Sequence, residues 1–118
     1  MTEHNFPQID PRLVEQLRGE LGHPFLLDLL AQWKSSLSDV SHQLQVPQPT
    51  EFLEYLSHRL KGIGTLGFYK LVHVADKVET FCRNGQVGPD AQQQLQSACA
   101  DALVALTAML NSDAMVEP

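Results

Sequence analysis

Ser57-His58-Arg59-Leu60-Lys61-Gly62-Ile63-Gly64-Thr65-Leu66-Gly67 can be read in two ways, and the choice between them decides the fold. Its second half, from Gly62 to Gly67, matches G-x-G-x-x-G, the turn that cradles a dinucleotide pyrophosphate. That turn needs a strand before it and a βαβ unit around it. The residues before Gly62 supply a helix instead. Phe52, Leu53, Leu56, Leu60 and Ile63 recur at helical spacing, and no period-2 alternation occurs in the chain. The dinucleotide reading is therefore set aside, and the stretch is the end of an amphipathic helix in an all-α protein.

Working outward, the same spacing predicts five helices. The first opens at Asp10-Pro11, an N-cap acid followed by proline at the first helical position. Ile9, Leu13, Leu17 and Leu21 form its apolar side, and Gly22 stops it. The second runs from near Pro24 to about Gln45, with Leu26, Leu29, Leu30, Trp33, Leu37, Val40 and Leu44 as one stripe. Pro47 and Pro49 break it, since each removes a donor and restricts its predecessor. The third begins at Thr50 or Glu51. The fourth spans about 68–83, with Leu71, Val74, Ala75, Val78, Phe81 and Cys82 facing the core and Asn84-Gly85 as a left-handed stop. The fifth opens at Gly88-Pro89-Asp90 and runs to about Leu110, after which the chain is expected to fray. Gln92, Gln93, Gln94 and Gln96 read as a solvated face. Short loops make neighbours antiparallel. The expectation is an up-down-up-down four-helix bundle with a short N-terminal capping helix, one domain over 1–118 with its core at about 10–110.

Charge and composition remove several functions. A net charge of −6 repels phosphate backbones and anionic lipid, so neither nucleic acid nor membrane is an expected partner. No window approaches a membrane span, and residues 1–10 lack a signal-peptide core. Cys82 and Cys99 are far apart and form no C-x-x-C, so they read as small buried hydrophobes rather than a disulfide or zinc site. The setting is read as reduced and cytoplasmic, and the protein as a monomer.

On the third helix, a rotation of about 100° per residue places His58 roughly 190° from the centre of the apolar stripe. Lys61 and Gly62 flank His58 on that outer face, with Glu54 one turn before it and Thr65 about two turns after. Glycine inside a helix costs roughly 1 kcal/mol relative to alanine. Gly62, on the His58 side, fits a large partner approaching the backbone; Gly64, nearer the core, fits close packing of a neighbouring helix. An exposed neutral imidazole whose Nδ1 is held as a donor is a good nucleophile through Nε2, and attack on phosphorus gives a phosphoramidate. Lys61 could offset the incoming charge. Glu79 falls about 90° from the apolar centre of its own helix, at the core boundary, from where it could accept the Nδ1 proton. Neither a P-loop nor a kinase signature set is present, so phosphate would arrive already activated from another protein.

His58-Arg59-Leu60-Lys61-Gly62, followed by Leu66-Gly67, resembles the H-x-L-K-G…L-G signature of histidine-containing phosphotransfer (HPt) domains. Asp10-Pro11 with Leu13 and Leu17 resembles the family's opening helix, and Leu71, Val74, Ala75, Val78 and Glu79 the helix after the motif. The interval from His58 to Gly67 is one residue shorter than the usual pattern. The resemblance implies a four-helix bundle with His58 phosphorylated through Nε2. It implies Lys61 on the phosphate, Gly62 leaving room for a receiver domain, and Glu79 bonded to the histidine. It also implies response-regulator receiver domains and a hybrid sensor histidine kinase as partners. By the same resemblance no cofactor is expected on this chain, and magnesium would belong to the receiver.

Arg59 lies about 100° around the helix from His58 and reads as a docking or solvated charge, as do Glu54 and Thr65. His4, His23, His42 and His73 read as surface residues. Two other functions compete. The bundle could dock on a receiver or kinase and inhibit it without carrying phosphate. A metal site on Glu54 and His58 has i, i+4 spacing but only two ligands, so no metal is expected.

Overall fold

The computed structural model describes residues 11–64, 68–86, 88 and 90–115, and these form five helices and no strand. They are α1 (Pro11–Leu21), α2 (His23–Gln43), α3 (Thr50–Gly64), α4 (Tyr69–Arg83) and α5 (Ala91–Met115). Asp10, Ile9, Thr65, Leu66, Gly67 and Pro89 lie outside the described residues, and with them the first N-cap and the end of the glycine pattern.

The corners follow from backbone chemistry. Gly22 adopts φ 87°, a left-handed value that separates α1 from α2 by a single residue. At the end of α4, Gly85 has φ 70°. Its N–H donates to Cys82 O at 3.2 Å and that of Gln86 to Phe81 O at 2.8 Å, which is the Schellman pairing. Pro49 donates no N–H, but its carbonyl accepts from Leu53 N at 2.8 Å and so starts α3.

One apolar cluster runs through the molecule. Leu26, Leu30, Leu37 and Val40 of α2 meet Leu53, Leu56 and Leu60 of α3, Leu71, Ala75 and Val78 of α4, and Leu95, Cys99, Ala102 and Leu106 of α5. Phe68, 1% exposed, joins that cluster just before α4. The strongest packing is α3 on α4, followed by α2 on α5 and α4 on α5; α1 packs on α2. Both cysteines are free and buried, as expected of small hydrophobes. Burial pushes the Cys99 thiol up to about 12, and Cys99 Sγ donates to Leu37 O at 3.3 Å.

Four readings need correction. In α1 the buried side chain is Val14, whereas Leu21 is 42% exposed. The spacing-four row through Leu13 and Leu21 drifts off a helix that repeats every 3.6 residues. Phe81 is only half-buried and lies outside the core, because Leu71, Ala75, Val78 and Cys82 already fill the inward row of α4. Helix α5 does not end at Leu110 but continues to Met115, since neither proline nor glycine interrupts it. Gln92 is no simple solvated residue. Its amide nitrogen donates to Leu44 O at 3.0 Å and Val46 O at 2.6 Å, and its oxygen accepts from Gln48 N at 3.1 Å. One side chain thus supplies the partners that the proline-broken α2–α3 connection cannot find within itself.

Among the described residues, no helix is long and apolar enough to cross a membrane.

Candidate functional site

The site is built on the α3–α4 pair. The two helices approach closely because Gly64 lacks a side chain. A Cβ there would stand 2.7 Å from Val72 Cγ2 and 3.4 Å from Val72 N. Gly62 differs: a Cβ at that position would meet nothing within 4 Å. The two glycines therefore divide as their helical phases predict, one toward the neighbouring helix and one toward open space.

His58 is carried on the outer side of α3, with 74% of its side chain exposed. Ser57 and Leu60 on either side of it are buried, and Ser57 Oγ donates to Leu53 O at 2.9 Å. Facing His58 across the helix pair is Glu79, whose side chain is 6% exposed. The separation of His58 Nδ1 and Glu79 Oε2 is 3.1 Å. Glu79 is thus more deeply set than the core boundary expected of it.

Glu79 gathers three cations or donors. Lys61 Nζ donates to Oε1 at 3.0 Å, and Arg83 Nη2 donates to Oε2 at 3.0 Å, the oxygen that also faces His58. Burial pushes the Glu79 carboxyl up, but the bonds from Lys61 and His58 and the charges of Lys61 and Arg83 outweigh it. The carboxyl is held below its ordinary value and is ionised at neutral pH. An ionised carboxylate only accepts, so His58 Nδ1 carries the proton. In the neutral ring the free lone pair is then on Nε2.

Lys61 is bound twice, donating also to Asp76 Oδ1 at 2.9 Å. The hydrogen bond to Asp76, then that to Glu79, raises the Lys61 ammonium above its ordinary value. The same bond from Lys61 holds the Asp76 carboxyl down. Arg83 is braced from the opposite helix by Glu54, Nε to Oε2 3.6 Å. Glu54, His58 and Lys61 on α3 therefore face Asp76, Glu79 and Arg83 on α4, two rows at spacings of three and four residues. A shallow depression lined by Glu51, Glu54, Tyr55, His58 and Glu79 opens beside the imidazole.

No family model matches this chain, and neither does any curated protein or solved structure.

The structure brings together His58, Lys61, Glu79 and Glu54. Arg59 stands apart from them: its guanidinium lies 6.0 Å from the Tyr55 ring centroid and 3.9 Å from Asp39 Oδ2 on α2. Thr65 lies outside the described residues. Two members of the cluster, Asp76 and Arg83, were not anticipated. They stand three residues before and four after Glu79, and that spacing alone put all three on one face of α4. His73 is exposed, as expected.

Proposed function

We propose that this protein is a histidine phosphotransfer carrier, in which His58 accepts a phosphoryl group from a receiver-domain aspartate and passes it to another receiver. The observation that carries this reading is a single one. His58 offers an exposed ring whose Nδ1 is tied to a buried, ionised carboxylate, leaving Nε2 as the outward nucleophile.

In the transfer step the Nε2 lone pair attacks phosphorus, and a P–N bond forms as the acyl P–O bond breaks. The electron pair leaves with the partner's aspartate, which becomes a free carboxylate. No proton need move. The imidazole, which keeps its Nδ1 proton, gains positive character, and Glu79 is placed to offset it. Lys61 stands one turn from His58 and supplies the neighbouring positive charge. Open space beside Gly62 leaves room for an approaching receiver. Magnesium is a requirement of the receiver and not of this chain.

The reading carries the finer expectations with it: HPt family membership, an up-down-up-down antiparallel arrangement of α2 to α5 capped by α1, a cytoplasmic monomer, and a hybrid sensor kinase upstream. It is tested by incubating the chain with a panel of phosphorylated receiver domains. Label should move to the wild-type chain, be absent from His58→Gln, and be lost in acid but not in base. Label retained by His58→Gln refutes the site. Binding to a receiver that persists in His58→Ala, with no label on the wild type, identifies an inhibitory docking module instead.

A further inference from the structure

We infer that Asp76 withholds the Lys61 ammonium from the phosphoryl group and thereby disfavours its fully ionised form on His58. The inference rests on the phosphotransfer reading above and concerns the charge state of the bound group.

An ammonium has three donors, and Lys61 has two of them committed, to Asp76 Oδ1 at 2.9 Å and to Glu79 Oε1 at 3.0 Å. Glu54, Asp76 and Glu79 against Lys61 and Arg83 leave the cluster one negative charge in excess before any phosphate arrives. A phosphoryl group on Nε2 adds nearly two more. Phosphate is then left the third donor alone, unless Lys61 gives up one of its two carboxylates.

The two carboxylates are not equally able to let go. Glu79 is 6% exposed and also engages His58 and Arg83. Removing Lys61 would leave Oε1 of Glu79 without that cation while the carboxylate stays buried, which is costly. Asp76 is 61% exposed, so water can replace the ammonium at little cost. Asp76 is therefore the partner that yields. While it remains ionised, Lys61 can offer the phosphate only its third donor, at the place the two carboxylates fix, and moving further toward the phosphate sacrifices the Asp76 contact. The negative charge of Asp76 opposes the phosphate as well, with His73 and Arg83 as the other charged or titratable neighbours it feels.

The test loads the full chain with phosphoramidate, so that a P–N bond forms at Nε2 as the reagent's own P–N bond breaks and ammonia leaves. The second ionisation of the phosphoryl group is then followed by 31P NMR titration. Asp76→Asn should lower that ionisation by about 0.5 unit, because the dianion gains Lys61. Most of the shift should disappear when Asp76→Asn is made in a Lys61→Ala background. Asp101→Asn should leave the ionisation unchanged, since it removes one charge that pairs with Lys70 between α4 and α5. A full shift in the Lys61→Ala background overturns the inference, as does no shift in Asp76→Asn. Failure of the underlying reading is seen separately: the wild type then gives no phosphoryl signal that His58→Gln removes, and this inference falls with it.

Discussion

Oε2 of Glu79 lies 3.1 Å from Nδ1 of His58 although the two residues belong to different helices and differ greatly in burial. One is set into the helix pair and the other stands in water. The carboxylate can therefore orient the ring without blocking its outer nitrogen.

Glu79→Gln should keep the fold and slow transfer to His58 by about tenfold, as loss of a carboxylate behind a functional histidine does elsewhere. The amide can still accept from Nδ1 but cannot offset positive charge on the ring. Initial rates of phosphoryl uptake from one receiver, compared at equal folded fraction by circular dichroism, check this. An unchanged rate would show that Glu79 does not act through His58.

Acid should weaken the fold through the same cluster. The Glu79 and Asp76 carboxyls are held below their ordinary 4.5 and 3.8 in the folded chain. Their contribution is therefore complete above those values and is lost as pH falls through the lower folded ones. Lys61 has the opposite sign: raised above 10.5, it contributes fully below that pH and is lost only above it. Urea midpoints should fall as pH drops below about 4.5, and Glu79→Gln should flatten that fall. Equal slopes for the two proteins would contradict the assignment.

Gly62→Ala and Gly64→Ala should move stability in opposite directions. At position 62 a methyl meets nothing within 4 Å, so the helix gains about 0.5–1 kcal/mol. At position 64 the methyl would stand 2.7 Å from Val72 Cγ2, with the Val72 backbone nitrogen close behind. Overpacking of this kind costs about 1–3 kcal/mol, enough to outweigh the gain in propensity. Urea unfolding of both variants decides the matter, and stabilisation by Gly64→Ala would mean that α3 and α4 do not pack this closely.

Gln92→Ala should destabilise the chain by about 1–3 kcal/mol, because the carbonyls of Leu44 and Val46 and the N–H of Gln48 lose their partner together. Amide exchange at Gln48 should quicken more than exchange in α4. Uniform quickening would point to global loss of stability instead of a local effect.

The helical class and the outward position of His58 were legible because a 3.6-residue repeat states which way each side chain points. Leu53, Leu56 and Leu60 declare the inward side of α3, and His58 follows on the other. The division of labour between Gly62 and Gly64 was legible for the same reason. Phase within one helix does not say which neighbour it meets or at what height. Hence Glu79 could be placed near His58, yet its depth and its two extra partners could not. Asp76 and Arg83 became part of the site only when α4 was set against α3. Gln92 was opaque for a related cause: a glutamine on a polar stretch looks solvated until a distant loop is found beneath it.

The missing side chain at position 64 acts as a fulcrum for everything above it. Helices are stiff, and Gly64 lies six positions after His58, about 9 Å along the axis. A wedge introduced there would tilt one rod against the other and open the gap between imidazole and carboxylate. The separation of imidazole and carboxylate is in this way calibrated by an atom that is not there, nearly two turns distant, on the side of the helix packed against Val72.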